Sequence, residues 1–138
     1  MDGKITGGCL CGAVRFECSA DRPVMAGNCH CRDCQRTSGS AFITALFFPK
    51  EQVQITGDVR YYDVQAESGN TFSRGFCSTC GSNLFGRSTG FPHLIGLRAG
   101  TLDDPNRFAP SVNIYIESAP SWHVLSQDLP RFARAPVR

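Results

Sequence analysis

Phe76-Cys77-Ser78-Thr79-Cys80-Gly81-Ser82 is the stretch that decides how this chain folds. A C-x-x-C pair followed by glycine makes a tight knuckle, because glycine tolerates the positive φ that turns backbone N–H groups toward sulfur. The knuckle offers two thiolates to one metal ion and leaves two coordination positions to be filled from elsewhere. Cys9-Leu10-Cys11 can fill them, since side chains two apart on an extended segment point the same way. The pairing joins the start of the chain to its middle and closes a loop of roughly sixty to seventy residues, so ligation offsets a long-range entropy cost. Four thiolates complete the tetrahedral shell of Zn²⁺. The expectation is a closed, structural zinc at Cys9, Cys11, Cys77 and Cys80.

Cys29-His30-Cys31-Arg32-Asp33-Cys34 supplies three further cysteines within six residues. Three protein ligands with a free fourth position are the pattern of a catalytic or substrate-binding zinc. A sulfur-rich set suits a thiol as incoming ligand. Zinc would lower that thiol's pKa and hold it as the reactive thiolate. A fourth protein ligand such as His30, His93 or Cys18 would instead close the group into a second structural site. His30 lies between two ligands on an extended stretch and is expected to point away from their metal, where it can support the ligands. Cys18, the eighth cysteine, shares its strand parity with Val14 and Phe16 and is expected in the core. Arg32 and Arg36 flank the cluster, either as solvated charges or as attraction for a carboxylate-bearing ligand. His93 and His123 read as ordinary surface or core histidines, and Trp122 and the ten phenylalanines read as core. No residue stands out as a general acid or base.

Composition narrows the function classes. The 138 residues fit one domain spanning 1–138, large enough to bury a core without cysteine staples. Fourteen Lys and Arg against twelve Asp and Glu leave a formal charge of +2, too small to imply nucleic acid or membrane binding. Met1 to Gly8 has no apolar core of a signal peptide, and no stretch approaches the ~18 apolar residues of a membrane span. A cytoplasmic location is expected, where thiols stay reduced. Disulfides are the other reading of an even cysteine count, and that compartment goes against them.

The remainder reads as short strands punctuated by Gly, Pro, Asn and Asp. Ala13 to Cys18 alternates as a half-buried strand. Ser40 to Phe48 is a longer apolar run. Gln52 to Thr56 and Val59 to Val64 flank Gly57-Asp58 as a hairpin. Ser68-Gly69-Asn70 marks a turn. Thr71 to Phe76, Asn83 to Gly86, His93 to Leu97 and Val112 to Glu117 complete the set, with Val112, Ile114 and Ile116 on one face. Helix is confined to Arg32 to Ser38 and to a turn within Gln127 to Phe132. Arg131 to Arg138, with Pro136, is expected as a loosely held tail. The fold class is mainly β, zinc-stabilised, of short antiparallel strands with minimal helix.

Three segments together resemble the family of glutathione-dependent formaldehyde-activating enzymes, which also includes centromere protein V. They are Gly7-Gly8-Cys9-Leu10-Cys11-Gly12-Ala13-Val14, Asn28-Cys29-His30-Cys31-Arg32-Asp33-Cys34-Gln35-Arg36-Thr37-Ser38-Gly39, and Phe76 to Ser82. Thr101-Leu102-Asp103-Asp104-Pro105 and Ala119-Pro120-Ser121-Trp122 also fit. The resemblance implies a β-tent fold with two zinc ions. It matches Cys9, Cys11, Cys77 and Cys80 to structural ligands and Cys29, Cys31 and Cys34 to catalytic ligands. It also implies a carbon–sulfur lyase of the S-(hydroxymethyl)glutathione synthase kind, joining a small thiol such as glutathione to formaldehyde or another aldehyde. The chain is short for the named enzyme, which carries extra segments. The other readings are a zinc-binding thiol sensor without turnover and a protein-interaction domain with two structural zincs.

Overall fold

The computed structural model describes residues 4–135. Its strands are β1 (Ile5–Gly8), β2 (Arg15–Cys18), β3 (Met25–Cys29), β4 (Ile43–Pro49), β5 (Val53–Thr56), β6 (Val59–Gln65), β7 (Thr71–Cys77), β8 (Asn83–Ser88), β9 (Leu94–Arg98) and β10 (Val112–Ile114). The α-helix α1 spans Arg32–Ser38, and single 3₁₀ turns occupy Lys50–Gln52, Ala99–Thr101 and Ile116–Ser118. No helix among the described residues is long and apolar enough to cross a membrane.

The strands form two sheets. The smaller has the order β1-β2-β5 and the larger β10-β3-β4-β9-β8-β7-β6. Every pairing is antiparallel except β10 on β3, which is parallel. The expected set of antiparallel strands therefore acquires one parallel member, because the chain returns to β3 only after a long excursion through β4 to β9.

Alternation explains the smaller sheet. Arg15 and Glu17 of β2 face water while Phe16 and Cys18 are buried, and Val14 just before the strand is also buried. These side chains meet Leu46, Phe48, Leu84, Phe85 and Leu97 of the larger sheet in one apolar cluster. Phe16 and Phe85 pack edge to face with centroids 5.7 Å apart. Cys18 belongs to this cluster, as its parity predicts.

Four expectations need correction. Gly57-Asp58 is not a hairpin turn, because β5 pairs with β2 while β6 pairs with β7. Val53 and Ile55 pack into the core from β5, so the chain crosses between sheets at Gly57. There φ is +104°, and a Cβ would lie 2.2 Å from the Ala13 carbonyl oxygen, so only glycine fits. The shared face of Val112, Ile114 and Ile116 is also displaced. Asn113 is the buried residue of β10, and the strand stops at Ile114 because Tyr115 turns to φ 56°. Residues 127–132 form no helix; Arg131 bridges to Asn113 instead. The tail is held as far as Arg134, whose carbonyl accepts from Tyr115 N at 3.1 Å and whose guanidinium meets Glu117 and Glu67 at 2.8 and 2.9 Å. Pro136 lies outside the described residues.

Candidate metal centres

Cys9 and Cys11 follow β1, Cys77 ends β7 and Cys80 lies in the turn before β8. The knuckle forms as its glycine requires: Gly81 has φ +78° and its N–H donates to the Cys77 carbonyl at 2.9 Å. Gly12, just past the other pair, has φ +85° and donates to the Cys9 carbonyl. Backbone N–H groups reach the sulfurs, Val14 N to Cys9 Sγ at 3.2 Å and Cys80 N to Cys77 Sγ at 3.4 Å. Ser82 clasps both halves, accepting from Leu10 N at 3.0 Å and lying 3.2 Å from Cys80 Sγ. Its hydrogen bond brings the Cys80 thiol down to about 5.

Tetrahedral ligation with Zn–S near 2.3 Å places sulfurs about 3.8 Å apart. Cys9 and Cys11 sulfurs are 3.6 Å apart, and Cys11 and Cys77 sulfurs 3.8 Å. All four converge within 4.8 Å and can hold one ion.

The second group is built at the junction of β3 and α1. Cys29 ends the strand, Cys31 is the N-cap of the helix and Cys34 lies in its first turn. Cys31 Sγ accepts from Cys34 N at 3.3 Å, so one sulfur both caps the helix and faces its neighbours. Gly39 ends the helix at φ 68°. The buried Gln35 amide donates to the carbonyls of His30 at 2.8 Å and Ser118 at 2.9 Å, pinning the loop to the segment after β10. The three sulfurs lie within 4.8 Å of one another, and no fourth His, Cys, Asp or Glu among the described residues joins them. Hydrogen bonds from Cys29, then Cys34, push the Cys31 thiol down, and the contact with Cys31 pushes Cys29 up.

The cations beside these sulfurs are not the two that flank the cluster in sequence, which are solvated, one of the two readings open for them. Arg32 and Arg36 are exposed, and Arg32 bonds the Gln35 side chain. Arg74 of β7 and Arg98 of β9 are buried instead. Both terminal nitrogens of Arg74 lie 3.8 Å from Cys34 Sγ, and its guanidinium sits 4.8 Å over the Phe72 ring. Burial pulls Arg98 down to about 10, with the charges of Cys34, Cys29 and Cys31 acting against that fall. It stays charged at neutral pH. Sequence reading missed both because each sits in a strand pattern far from the cysteines. A charged residue at a core position of β7 or β9 was the available signal.

His30 is fully buried, with Nδ1 3.1 Å from the Ile114 carbonyl oxygen. Its ring packs with Phe42 and His123 at centroid distances of 5.3 and 5.2 Å. His123 is therefore part of a ring cluster beside the second group, whereas His93 is exposed. Trp122 is 73% exposed and lies against His123, so it is not a core residue. The Tyr115 hydroxyl is pushed up by burial and then by the nearby charge of Cys29.

Fold and sites define a small, mainly β protein with two cysteine groups able to hold metal, one of four sulfurs and one of three. The family model for glutathione-dependent formaldehyde-activating enzyme matches residues 4–118, and the chain belongs to that family. A protein of Halomonas elongata, provisionally named as such an enzyme, is 30% identical over 123 residues, covering 86% of this chain and 78% of its own. A similarly named Penicillium rubens protein is 32% identical over 84 residues, 55% of this chain and 44% of its own. The fold is similar to a Rhodobacter sphaeroides protein of known crystal structure, with a TM-score of 0.58, 22% identity, and coverage of 71% of this chain and 87% of that one.

Proposed function

We propose that the chain is a zinc-dependent carbon–sulfur lyase that joins a small thiol, such as glutathione, to formaldehyde or a related aldehyde, and also runs the reverse. The supporting observation is the three-sulfur group: three converging cysteines, no fourth described ligand, and two buried arginines beside them. In this reading Cys9, Cys11, Cys77 and Cys80 hold a structural zinc, and Cys29, Cys31 and Cys34 hold a zinc with a free position. Bound there, zinc would supply Lewis-acid stabilisation of a thiolate nucleophile. The half-buried Cys29 and Cys31 leave that side reachable from solvent, while Cys34 is held from behind by Arg74. Gln35 fixes the loop so that the sulfurs need not reorganise. In the forward direction the thiol sulfur bonds to the carbonyl carbon and the thiol proton ends on the carbonyl oxygen. In reverse that carbon–sulfur bond breaks. Eight free cysteines suit a reducing, cytoplasmic location.

The test is the rate of glutathione–formaldehyde condensation and its reverse, with zinc-loaded protein. The reading expects acceleration above the unaided reaction, abolished in Cys31→Ser with the fold retained. A rate equal to the unaided reaction at all protein concentrations contradicts it.

A further inference from the structure

Arg74 and Arg98 are each more than nine-tenths buried, and neither has a carboxylate partner among the described residues. Arg74 reaches Cys34 Sγ and, through Nη1, Thr37 Oγ1 at 3.4 Å. Arg98 donates through Nε to Asn83 Oδ1 at 3.4 Å. Arg74 Nε and Arg98 Nη2 have no hydrogen-bond partner among the described residues. The two approach each other across Gly86, which lies opposite Arg74 in the β7–β8 register. A Cβ on Gly86 would stand 3.0 Å from Arg98 Nη2 and 2.8 Å from the Phe72 ring under Arg74. Two like charges side by side in the interior are costly unless opposite charge meets them. Here Cys34 Sγ meets Arg74 directly, and the charges of Cys34, Cys29 and Cys31 act on Arg98.

Charge balance then separates ligands. Three thiolates against a divalent ion leave one negative charge, which by itself repels a further anion. Two guanidiniums reverse that sign and leave one positive charge, which an anion neutralises. We propose that Arg74 and Arg98 make the free position of the three-cysteine site selective for an anionic donor, a thiolate, over neutral donors. The inference rests on the open site argued above. Both arginines act through the ligands and their metal, so they are positioning residues. The same balance favours turnover: once the thiol sulfur is bonded to carbon it is a neutral donor, and it no longer satisfies the site as the next thiolate does.

The full chain loaded with cobalt, a spectroscopic substitute for zinc, tests this. Azide serves as the anionic probe and imidazole, at pH 8, as the neutral one, each followed by its visible difference spectrum. Wild-type protein is expected to bind azide more tightly than imidazole. Arg74→Gln and Arg98→Gln should each weaken azide about tenfold to a hundredfold, as expected for unit charges a few ångströms apart, and leave imidazole nearly unchanged. Arg74→Lys should restore much of the preference. Equal losses for both probes, or a wild-type preference for imidazole, would overturn the proposal; the wild-type comparison stands even where a glutamine variant fails to fold. No response of wild-type protein to any probe would instead remove the open site, and the proposed function with it.

Discussion

Arg74 holds Cys34 in a two-nitrogen grip, with both Nη atoms 3.8 Å from Sγ. The contact joins β7, which ends in the four-sulfur group at Cys77, to α1, which carries part of the three-sulfur group. The two cysteine groups, one of four sulfurs and one of three, are therefore mechanically linked through one strand.

Gly86 is the opening that lets the arginine pair form. Gly86→Ala should lower stability by about 1–3 kcal/mol, the usual cost of overpacking. Gly100→Ala, where a Cβ meets nothing within 4 Å, is the control and should change stability little. Urea denaturation of the metal-loaded proteins measures both.

Removing a ligand should have opposite consequences at the two groups. Cys80→Ser breaks the clasp between the start and middle of the chain. It is expected to cost about 3–5 kcal/mol, in the range of losses diagnostic for a broken metal site. Cys31→Ser should leave most of the fold's stability and one metal ion per chain. Thermal melts paired with metal analysis read the difference, and equal destabilisation by the two variants goes against the division.

Asp103 predicts a separate pH dependence. It accepts from Arg15 at 2.5 Å and Thr6 at 2.7 Å, tying the turn after Ala99–Thr101 to β1 and β2. The Arg15 hydrogen bond lowers its carboxyl from 3.8 to about 2. A folded-state pKa below the unfolded one means the stabilisation is complete above about pH 4 and is lost as pH falls through about 2. Both side chains are about half exposed, so the contribution is discounted to about 1 kcal/mol. Asp103→Asn should cost that much at pH 7 and almost nothing near pH 2, as read by urea denaturation at each pH.

Trp122 is the single tryptophan and is 73% exposed. Its emission should resemble that of solvated indole and be readily quenched by acrylamide. It contacts His123, whose ring packs on His30 between Cys29 and Cys31. Metal loading of the three-cysteine group should therefore change its intensity, and Cys31→Ser should suppress that change.

The cysteine spacing made both cysteine groups legible, because sulfurs able to meet one ion constrain the sequence locally. Alternation made β2 legible for a similar reason: each of its residues chooses one side. β3 was not legible. Met25-Ala26-Gly27-Asn28-Cys29 has no strand composition, and it is a strand because β4 and β10 flank it. Its Gly27 lets Val112 approach to 3.0 Å from where a Cβ would be. Asn28 is held there by polar pairing, donating to Asn113 at 3.0 Å and accepting from Thr44 at 2.5 Å. That buried amide chain also explains why Asn113, rather than Val112 or Ile114, faces inward. The arginine pair was hidden for the same reason: its meaning lies in strand neighbours brought together by topology.

In the proposed function one cysteine group is closed and the other accepts a thiol. ¹¹³Cd NMR of the cadmium-loaded full chain, titrated with glutathione, tests it most directly. Two resonances are expected, of which one moves with glutathione and is lost in Cys31→Ser while the other stays fixed. Two resonances that move together, or neither responding at saturating glutathione, would contradict it.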